Sequence, residues 1–150
     1  AIWAQSANAY RRYQPKSYVP MAAHWAFNNR TACLRVLNSS ANATRVEHRI
    51  AGADANPYLV LAAILAGIKH GIDAKLDPGP AVEGNADTSN APKVPTAWVN
   101  AIERFRNSKI VREAFGASFQ STYAQMKETE RLEFERVVTA LDYQWYARVA

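Results

Sequence analysis

Charged side chains alternate with apolar ones in the stretch RVEHRI, and their types could do chemistry. If residues 44–50 form a strand, every second side chain points to the same side, roughly 6.5–7 Å from the next. Arg45, Glu47 and Arg49 would then share one face. Such a face is either a solvated surface with ion pairs, each worth about 0–1 kcal/mol, or an anion pocket that contains one carboxylate.

Further arginines lie close in sequence to this strand. Arg35 falls on the preceding predicted strand, Arg30 at the mouth of the loop before it, and Arg12 between two tyrosines. The planar fork of arginine suits carboxylate and phosphate oxygens, and a lone glutamate such as Glu47 suits Mg²⁺, which prefers oxygen ligands. Phosphates, a metal and a carboxylate substrate together would indicate phosphoryl-transfer chemistry, in which catalysis is mostly positioning and charge neutralisation.

Short strands must position these side chains. Residues 1–31 contain many turn residues and two prolines, which favour an extended loop. Residues 32–37 and 44–50 predict two strands joined by NSSANA, a linker that suits a hairpin-like loop. In the second strand, Val46 and Ile50 should face the core.

One predicted helix follows directly. Asn56 and Pro57 are typical of an N-cap and a first helical position, and Lys69, His70 and Gly71 predict its end. Because residues 57–70 lack a polar face, we expect this helix to be buried.

The second half of the chain predicts a long loop and then helices. Residues 73–95 hold four prolines, and a loop of about 20 residues in a compact domain is often functional or mobile. From Thr96, apolar residues recur at steps of three and four, with a last helix starting near Ala117, so we expect packing stripes. The last stripe comprises Phe119, Tyr123, Met126, Phe134, Val138, Leu141 and Trp145. The predicted fold class is α+β: short antiparallel strands in the N-terminal third, packed by helices, and a helical C-terminal half.

Composition narrows the possible partners. The 150 residues carry a net charge of +5 without any basic run, which argues against nucleic-acid binding. The longest apolar run is shorter than the roughly 20 residues that span a bilayer, so we expect no membrane partner. Cys33 is the only cysteine, which excludes an internal disulfide and favours a reducing, cytoplasmic location.

Several separated motifs resemble one family. NAYRRYQP, NNRTACLRV and TRVEHRIAGADANPYLVLAAILAGIKHGI look like the C-terminal part of the catalytic domain of glutamine synthetases, and most like its γ-glutamylpolyamine (γ-glutamylputrescine) synthetase branch. The resemblance implies that residues 1–150 are a segment of that catalytic domain. An N-terminal β-grasp domain and the first part of the catalytic domain would then be absent from it.

The resemblance also implies roles for individual residues. Arg12 would hold the carboxylate of the glutamate substrate, Arg35 would contact nucleotide phosphates, and Arg30 would neutralise the transferring phosphate. Glu47 would ligate Mg²⁺ or Mn²⁺, and Arg49 would stabilise the γ-glutamyl phosphate. The implied reaction activates the side-chain carboxylate of glutamate with ATP, and an amine then attacks the acyl phosphate.

Tyr18 departs from the pattern of the ammonia-using enzymes, which carry a glutamate there. The substitution favours a primary amine, with Tyr18 beside the substrate. Three alternatives therefore stay open: an amine ligase, an ammonia-using glutamine synthetase, and a non-catalytic, free-standing remnant of the domain. Other metal ligands of the family precede this segment, so we expect the 150-residue chain alone to be inactive and its parent to form a large homo-oligomeric ring.

Overall fold

The computed structural model describes residues 1–14, 17–86 and 90–148. Within these ranges a small sheet near the N-terminus is followed by five of the six helices. The elements in chain order are α1 (Ala7–Tyr10), β1 (Trp25–Phe27), β2 (Leu34–Leu37), β3 (Arg45–His48), α2 (Pro57–Asp73), α3 (Trp98–Asn107), α4 (Lys109–Phe115), α5 (Ala117–Glu135) and α6 (Ala140–Tyr146). This mixed architecture confirms the predicted α+β class.

The three strands lie in the order β1-β2-β3. β2 and β3 are antiparallel, with Leu34 opposite His48 and Leu37 opposite Arg45, as the hairpin-like linker predicts. β1 joins β2 in parallel and lies in a region for which the sequence predicts only a loop. The pairing of β1 is supported by a distant part of the chain, residues 79–86, which packs against it.

That segment is tied to the sheet by backbone and side-chain hydrogen bonds. Trp25 Nε1 donates to the carbonyl oxygen of Gly79 at 2.9 Å, and the N–H of Val82 donates to the carbonyl oxygen of Trp25 at 2.9 Å. Asn29 Nδ2 donates to the carbonyl oxygen of Gly84 at 2.7 Å. The segment therefore braces β1 and the loop that carries Arg30.

α2 begins as predicted. Asn56 is its N-cap, because its Oδ1 accepts the N–H groups of Tyr58 and Leu59 at 3.0 and 3.3 Å. The helix continues three residues past His70, to Asp73, and an ion pair between Lys69 and Asp73 spans its last turn.

The described residues form three apolar clusters: a small one of Ala26, Ala32 and Ala86 beside β1 and two larger, adjoining ones. The first of the larger two joins the N-terminal segment to the end of β3 and includes Tyr10, Tyr13, Cys33 and Ile50. The second packs α3 on α5; its buried members are Ile2, Ile102, Phe105, Tyr123 and Ala124. Ala101 belongs to the first of these two clusters, and Ile102, its neighbour on α3, belongs to the second. This helix therefore connects the two larger clusters.

Three predictions of burial are wrong. Val46 is 62% exposed, whereas Ile50 is buried as expected, because no described element covers the Val46 side of β3. α2 has no buried residue, since only one of its faces packs on the described core. In the last stripe, Tyr123 is buried, but from Met126 onward the members are exposed, because no described element covers them. The exposed members are Met126, Phe134, Val138, Leu141 and Trp145.

No helix in the described ranges is both long enough and apolar enough to cross a membrane.

Candidate active site

An ion-paired centre lies across β2 and β3. The strand register sets Arg35 directly opposite Glu47, and Arg35 Nη1 lies 3.2 Å from Glu47 Oε2. Arg45 Nη2 approaches the other carboxylate oxygen of Glu47 at 3.6 Å. The side chains of Arg35 and Glu47 are 17% and 34% exposed, so the pair is partly shielded from solvent and less screened than an open surface pair.

Arg35 has an unused donor in this centre. Its Nε is buried and has no hydrogen-bond partner among the described residues. A buried donor without a partner is costly, and a guanidinium is suited to planar anionic oxygens. Glu47 therefore does not satisfy every donor of Arg35 in the described structure.

Backbone carbonyl oxygens just before β2 and just after β3 orient the side chains of Arg49 and Arg12. Arg49 Nη1 donates to the carbonyl oxygen of Ala32 at 3.3 Å, and its backbone N–H continues the strand pairing to Cys33 at 3.0 Å. Arg12 Nη1 donates to the carbonyl oxygen of Ile50 at 3.1 Å. Each guanidinium makes one hydrogen bond of this kind among the described residues and retains other donors.

Gly52 lies close to both Arg12 and Asp54, and the sequence analysis gave neither Gly52 nor Asp54 a role at the site. A Cβ at Gly52 would lie 2.6 Å from Asp54 Oδ1 and 3.2 Å from Arg12 Nη1. Asp54 is itself held in place, because its Oδ2 accepts the hydroxyl of Ser6, the N-cap of α1, at 2.8 Å. The small-residue run AGADA before Asn56 is the signal that could have indicated such a close approach.

Arg30 and Tyr18 lie in loops. Arg30 is exposed between β1 and β2, next to Thr31, whose hydroxyl accepts the N–H of Ala86 at 2.9 Å. Tyr18 is 77% exposed and has a φ of 57°, a left-handed conformation that is uncommon for a bulky residue. In the described ranges, neither side chain has a hydrogen bond or ion pair to Glu47, so the structure does not unite them with the centre.

The buried groups near this centre are neutral at physiological pH. Burial raises the pKa of the Cys33 thiol, and the backbone N–H of Cys33 donates to His24 Nδ1 at 3.1 Å. Burial lowers the pKa of His48, whose ring lies 4.5 Å from that of Trp3 between centroids. An inert thiol and an uncharged imidazole are the properties of packed side chains rather than of a nucleophile and its base.

The ion-paired centre offers a metal ion one carboxylate, that of Glu47. Among the described residues, no group of three or more His, Cys, Asp or Glu side chains could hold a metal. Glu47 is the one acidic side chain of the ion-paired centre and is partly open to solvent. It fits a divalent cation as a single oxygen ligand, and octahedral Mg²⁺ would need the others from elsewhere.

Comparison with known proteins defines the class. The profile of the glutamine synthetase catalytic domain matches residues 1–146. The chain therefore belongs to the glutamine synthetase family, and the resemblance seen in its motifs is confirmed.

Relatives among characterised proteins include several glutamate–amine ligases. The chain is 42% identical, over 150 residues, to γ-glutamylputrescine synthetase PuuA of Escherichia coli (strain K12), covering all of this chain and 32% of the relative. It is 37% identical over 138 residues to γ-glutamylethanolamide synthetase GlnA4 of Streptomyces coelicolor, covering 92% of this chain and 30% of that protein. The chain thus spans about one third of the length of the curated relatives that it matches.

A solved structure has the same fold. The structure described as apo GmaS without ligand superposes with a TM-score of 0.82 at 24% identity, over 98% of this chain and 34% of that one.

Proposed function

We propose that residues 1–150 are the C-terminal segment of the catalytic domain of an ATP-dependent ligase. The ligase would join the γ-carboxylate of glutamate to an amine through a γ-glutamyl phosphate. The N-terminal β-grasp domain and the first part of the catalytic domain would lie in the rest of a longer polypeptide, called here the parent polypeptide. The observation that carries the proposal is the ion-paired centre of Arg35, Glu47 and Arg45 on two paired strands.

Three features of this centre suit phosphoryl transfer. Its arginines supply positive charge for phosphate oxygens. The guanidinium of Arg35, which pairs with Glu47 through Nη1, would offer its remaining donors to a nucleotide phosphate. Glu47 supplies one ligand for Mg²⁺ or Mn²⁺, and the bound cation would neutralise charge that develops on the phosphoryl group. ATP and the cation are therefore the proposed cofactors.

The remaining arginines are proposed to position glutamate and its phosphate. Arg12, oriented by the carbonyl of Ile50, would bind the substrate carboxylate. Arg49, oriented by the carbonyl of Ala32, would bind the γ-glutamyl phosphate. Arg30, in a loop braced by the segment that contains Ala86, would contact the transferring phosphate, and it would approach the centre only once substrate is bound.

We propose a primary amine, a di- or polyamine, as the second substrate. Tyr18 supports this choice because a tyrosine supplies no carboxylate to attract ammonium and take its proton. Its exposed ring could instead pack on a methylene chain or lie beside a cationic amine, a contact worth about 0.5–2 kcal/mol. Relatives whose names specify putrescine and ethanolamide products agree with an organic amine.

The experiment is a comparison of kcat/KM for putrescine and for ammonium in the parent polypeptide. We expect putrescine to be preferred, and we expect Tyr18→Glu to shift the preference toward ammonium by tenfold or more. Gln125→Glu serves as the control, because Gln125 is an exposed polar residue on α5 and its substitution should leave the ratio unchanged. If kcat/KM of the unaltered protein were tenfold higher for ammonium than for putrescine, the parent polypeptide would instead be an ammonia-using glutamine synthetase.

The 150-residue chain alone should not form γ-glutamyl amides. It supplies one of the metal ligands, so glutamate, ATP, Mg²⁺ and putrescine should give no amine-dependent phosphate release. A parent polypeptide of about 150 residues in its source cell would favour the non-catalytic remnant.

A further inference from the structure

The loop between β1 and β2 carries Arg30, and the residues on both sides of Arg30 are bonded to each other. Asn29 Oδ1 accepts the backbone N–H of Thr31 at 2.9 Å and the hydroxyl of Thr31 at 2.7 Å. Asn28 turns the chain at the end of β1 with a φ of 47°, a left-handed conformation in which asparagine is enriched among non-glycine residues. The backbone at Arg30 is therefore held in a compact turn.

The same two side chains attach this loop to residues 79–86. Asn29 Nδ2 donates to the carbonyl oxygen of Gly84 at 2.7 Å, and Thr31 Oγ1 accepts the backbone N–H of Ala86 at 2.9 Å. These four hydrogen bonds are called here the Asn29–Thr31 clamp. Three small side chains of β1, the loop and the segment are fully buried in one cluster, namely Ala26, Ala32 and Ala86.

The clamp leaves the guanidinium of Arg30 free. Arg30 is exposed, and within the described ranges no hydrogen bond or ion pair holds its side chain. A guanidinium binds phosphate oxygens through its planar fork, but it can reach only as far as its own backbone position allows. The clamp therefore fixes where the Arg30 side chain begins while its charged end stays open to a ligand.

The clamped loop also contains the carbonyl that orients Arg49. Thr31 is followed by Ala32, whose carbonyl oxygen accepts Arg49 Nη1 at 3.3 Å. Arg30 and this acceptor lie two residues apart on one clamped stretch of backbone. A displacement of the loop would therefore change the position of Arg30 relative to Arg49.

We infer that Asn29 and Thr31 are positioning residues, which hold Arg30 in register with Arg49 through their bonds to residues 79–86. The inference rests on the proposed function, in which both arginines bind the phosphoryl group that passes from ATP to glutamate. In that step a γ-carboxylate oxygen forms a bond to the γ-phosphorus, and the bond from this phosphorus to ADP breaks. Neither Asn29 nor Thr31 touches the reacting atoms.

Loss of the clamp should act on the rate of the chemical step. Catalysis of phosphoryl transfer is mostly positioning and charge neutralisation, and a misplacement of about 1 Å can cost on the order of 100-fold in rate. Arg12, which is proposed to bind the substrate carboxylate, is not part of the clamp. The affinity for glutamate should therefore change little.

The test uses Thr31→Val in the parent polypeptide. Valine has nearly the shape of threonine but lacks the hydroxyl, so the bonds to Asn29 Oδ1 and from the amide of Ala86 are lost. Thr31→Ser keeps the hydroxyl and is the conservative rescue. Thr122→Val, at an exposed position on α5, is the matched control for replacing threonine by valine.

Hydrogen exchange and steady-state kinetics with the preferred amine are measured on each variant. In Thr31→Val, the amide of Ala86 should exchange about tenfold faster by mass spectrometry, because it loses its acceptor. We expect kcat to fall about tenfold, while KM for glutamate changes by less than about twofold. Thr31→Ser and Thr122→Val should stay within about twofold of the unaltered protein in every quantity.

A double variant shows whether Thr31 acts through Arg30. On an Arg30→Ala background the relative placement of the two arginines no longer matters, so Thr31→Val should lower kcat by less than about threefold further. An undiminished loss on that background would overturn the inference, because Thr31 would then act independently of Arg30.

Three other results would also overturn the inference. Unchanged exchange in Thr31→Val would show that the clamp does not hold Ala86, and faster exchange with an unchanged kcat would show that its role is only structural. Thr31→Ser as slow as Thr31→Val would show that the hydroxyl is not responsible. A failure of the proposed function is distinguishable, because the unaltered parent polypeptide would then release no glutamate-dependent phosphate with any amine, and the inference would fall with it.

Discussion

Gly52 is the residue at which the candidate site leaves least space. A methyl group there would lie 2.6 Å from Asp54 Oδ1 and 3.2 Å from Arg12 Nη1, so the exposed side chain of Asp54 would turn aside and lose its bond from Ser6. We predict that Gly52→Ala lowers the free energy of unfolding of the chain by about 0.5–1.5 kcal/mol, the net contribution of a typical hydrogen bond. Denaturant unfolding would measure this change.

Gly67→Ala provides the comparison, because a Cβ there meets nothing within 4 Å. This helical substitution should raise stability by about 0.5–1 kcal/mol. In the parent polypeptide, Gly52→Ala should raise KM for glutamate more than it lowers kcat, since Arg12 would shift. An unchanged KM would argue against the proposed role of Arg12.

The buried environment of Tyr123 leads to a prediction about how stability depends on pH. Its hydroxyl is buried without a partner in the described part of the chain, and burial raises its pKa to about 12. The folded state thus holds the proton more tightly than the unfolded state, whose pKa is near 10. This contribution to stability is complete below pH 10 and is lost as the pH rises from 10 through 12.

Tyr123→Phe should therefore weaken the alkaline loss of stability between pH 10 and 12. At pH 7 the variant should be as stable as the unaltered chain or slightly more so, because it removes an unpaired buried hydroxyl. Denaturant unfolding at pH 7, 10 and 11 measures both effects. A steeper loss in the variant would contradict the assignment.

At the scale of elements, Gln120 joins α5 to the junction between α3 and α4. The side chain is 2% exposed, and its Nε2 donates to the carbonyl oxygens of Phe105 and Ser108, both at 2.8 Å. Its Oε1 accepts Arg112 Nε at 3.1 Å. One amide thereby satisfies two carbonyls at the end of α3 and one side chain of α4.

Gln120→Leu should lower the free energy of unfolding by about 2–3 kcal/mol, because polar groups that Gln120 now satisfies would lose their partner. Gln125→Leu, at an exposed position on α5, should change it by less than about 0.5 kcal/mol. Equal effects from the two variants in chemical denaturation would show that the hydrogen bonds of Gln120 add nothing.

Elements with local signals were predicted from the sequence. The start of α2 depends on Asn56 and Pro57, and the β2–β3 hairpin on alternation and a short polar linker. These signals act over a few residues. β1 was missed because its three residues become a strand only through pairing with β2 and bracing by residues near Gly79 and Val82, which are far away in sequence.

Only part of the candidate site could likewise be predicted from the sequence. Alternation along β3 correctly put Arg45 and Glu47 on one face, and the pairing with Arg35 followed from the strand register. The close approach of Gly52 to Arg12 and the bond from Ser6 to Asp54 are tertiary contacts, which no local pattern encodes.

At the scale of the whole molecule, the wrong predictions of burial have a common cause. A pattern of apolar residues shows that a face will be covered, but not by which part of a polypeptide. Val46, large apolar residues of α2 and the apolar residues of α6 are all exposed in a chain that spans about one third of its curated relatives. The sequence identified these faces, but their partner surface is not among the described residues.

Glu47 provides the most direct test of the proposed ligase. The measurement is the rate of putrescine-dependent phosphate release by the parent polypeptide at saturating glutamate, ATP and Mg²⁺. Glu47→Gln keeps the size of the side chain but removes the charge that a hard cation requires. Glu103→Gln, at an exposed position on α3, is the control. We predict that Glu47→Gln lowers the rate on the order of 100-fold or more, equivalent to about 3 kcal/mol, with folding intact and the control unaffected. Full activity with an unchanged metal requirement in Glu47→Gln would contradict the account.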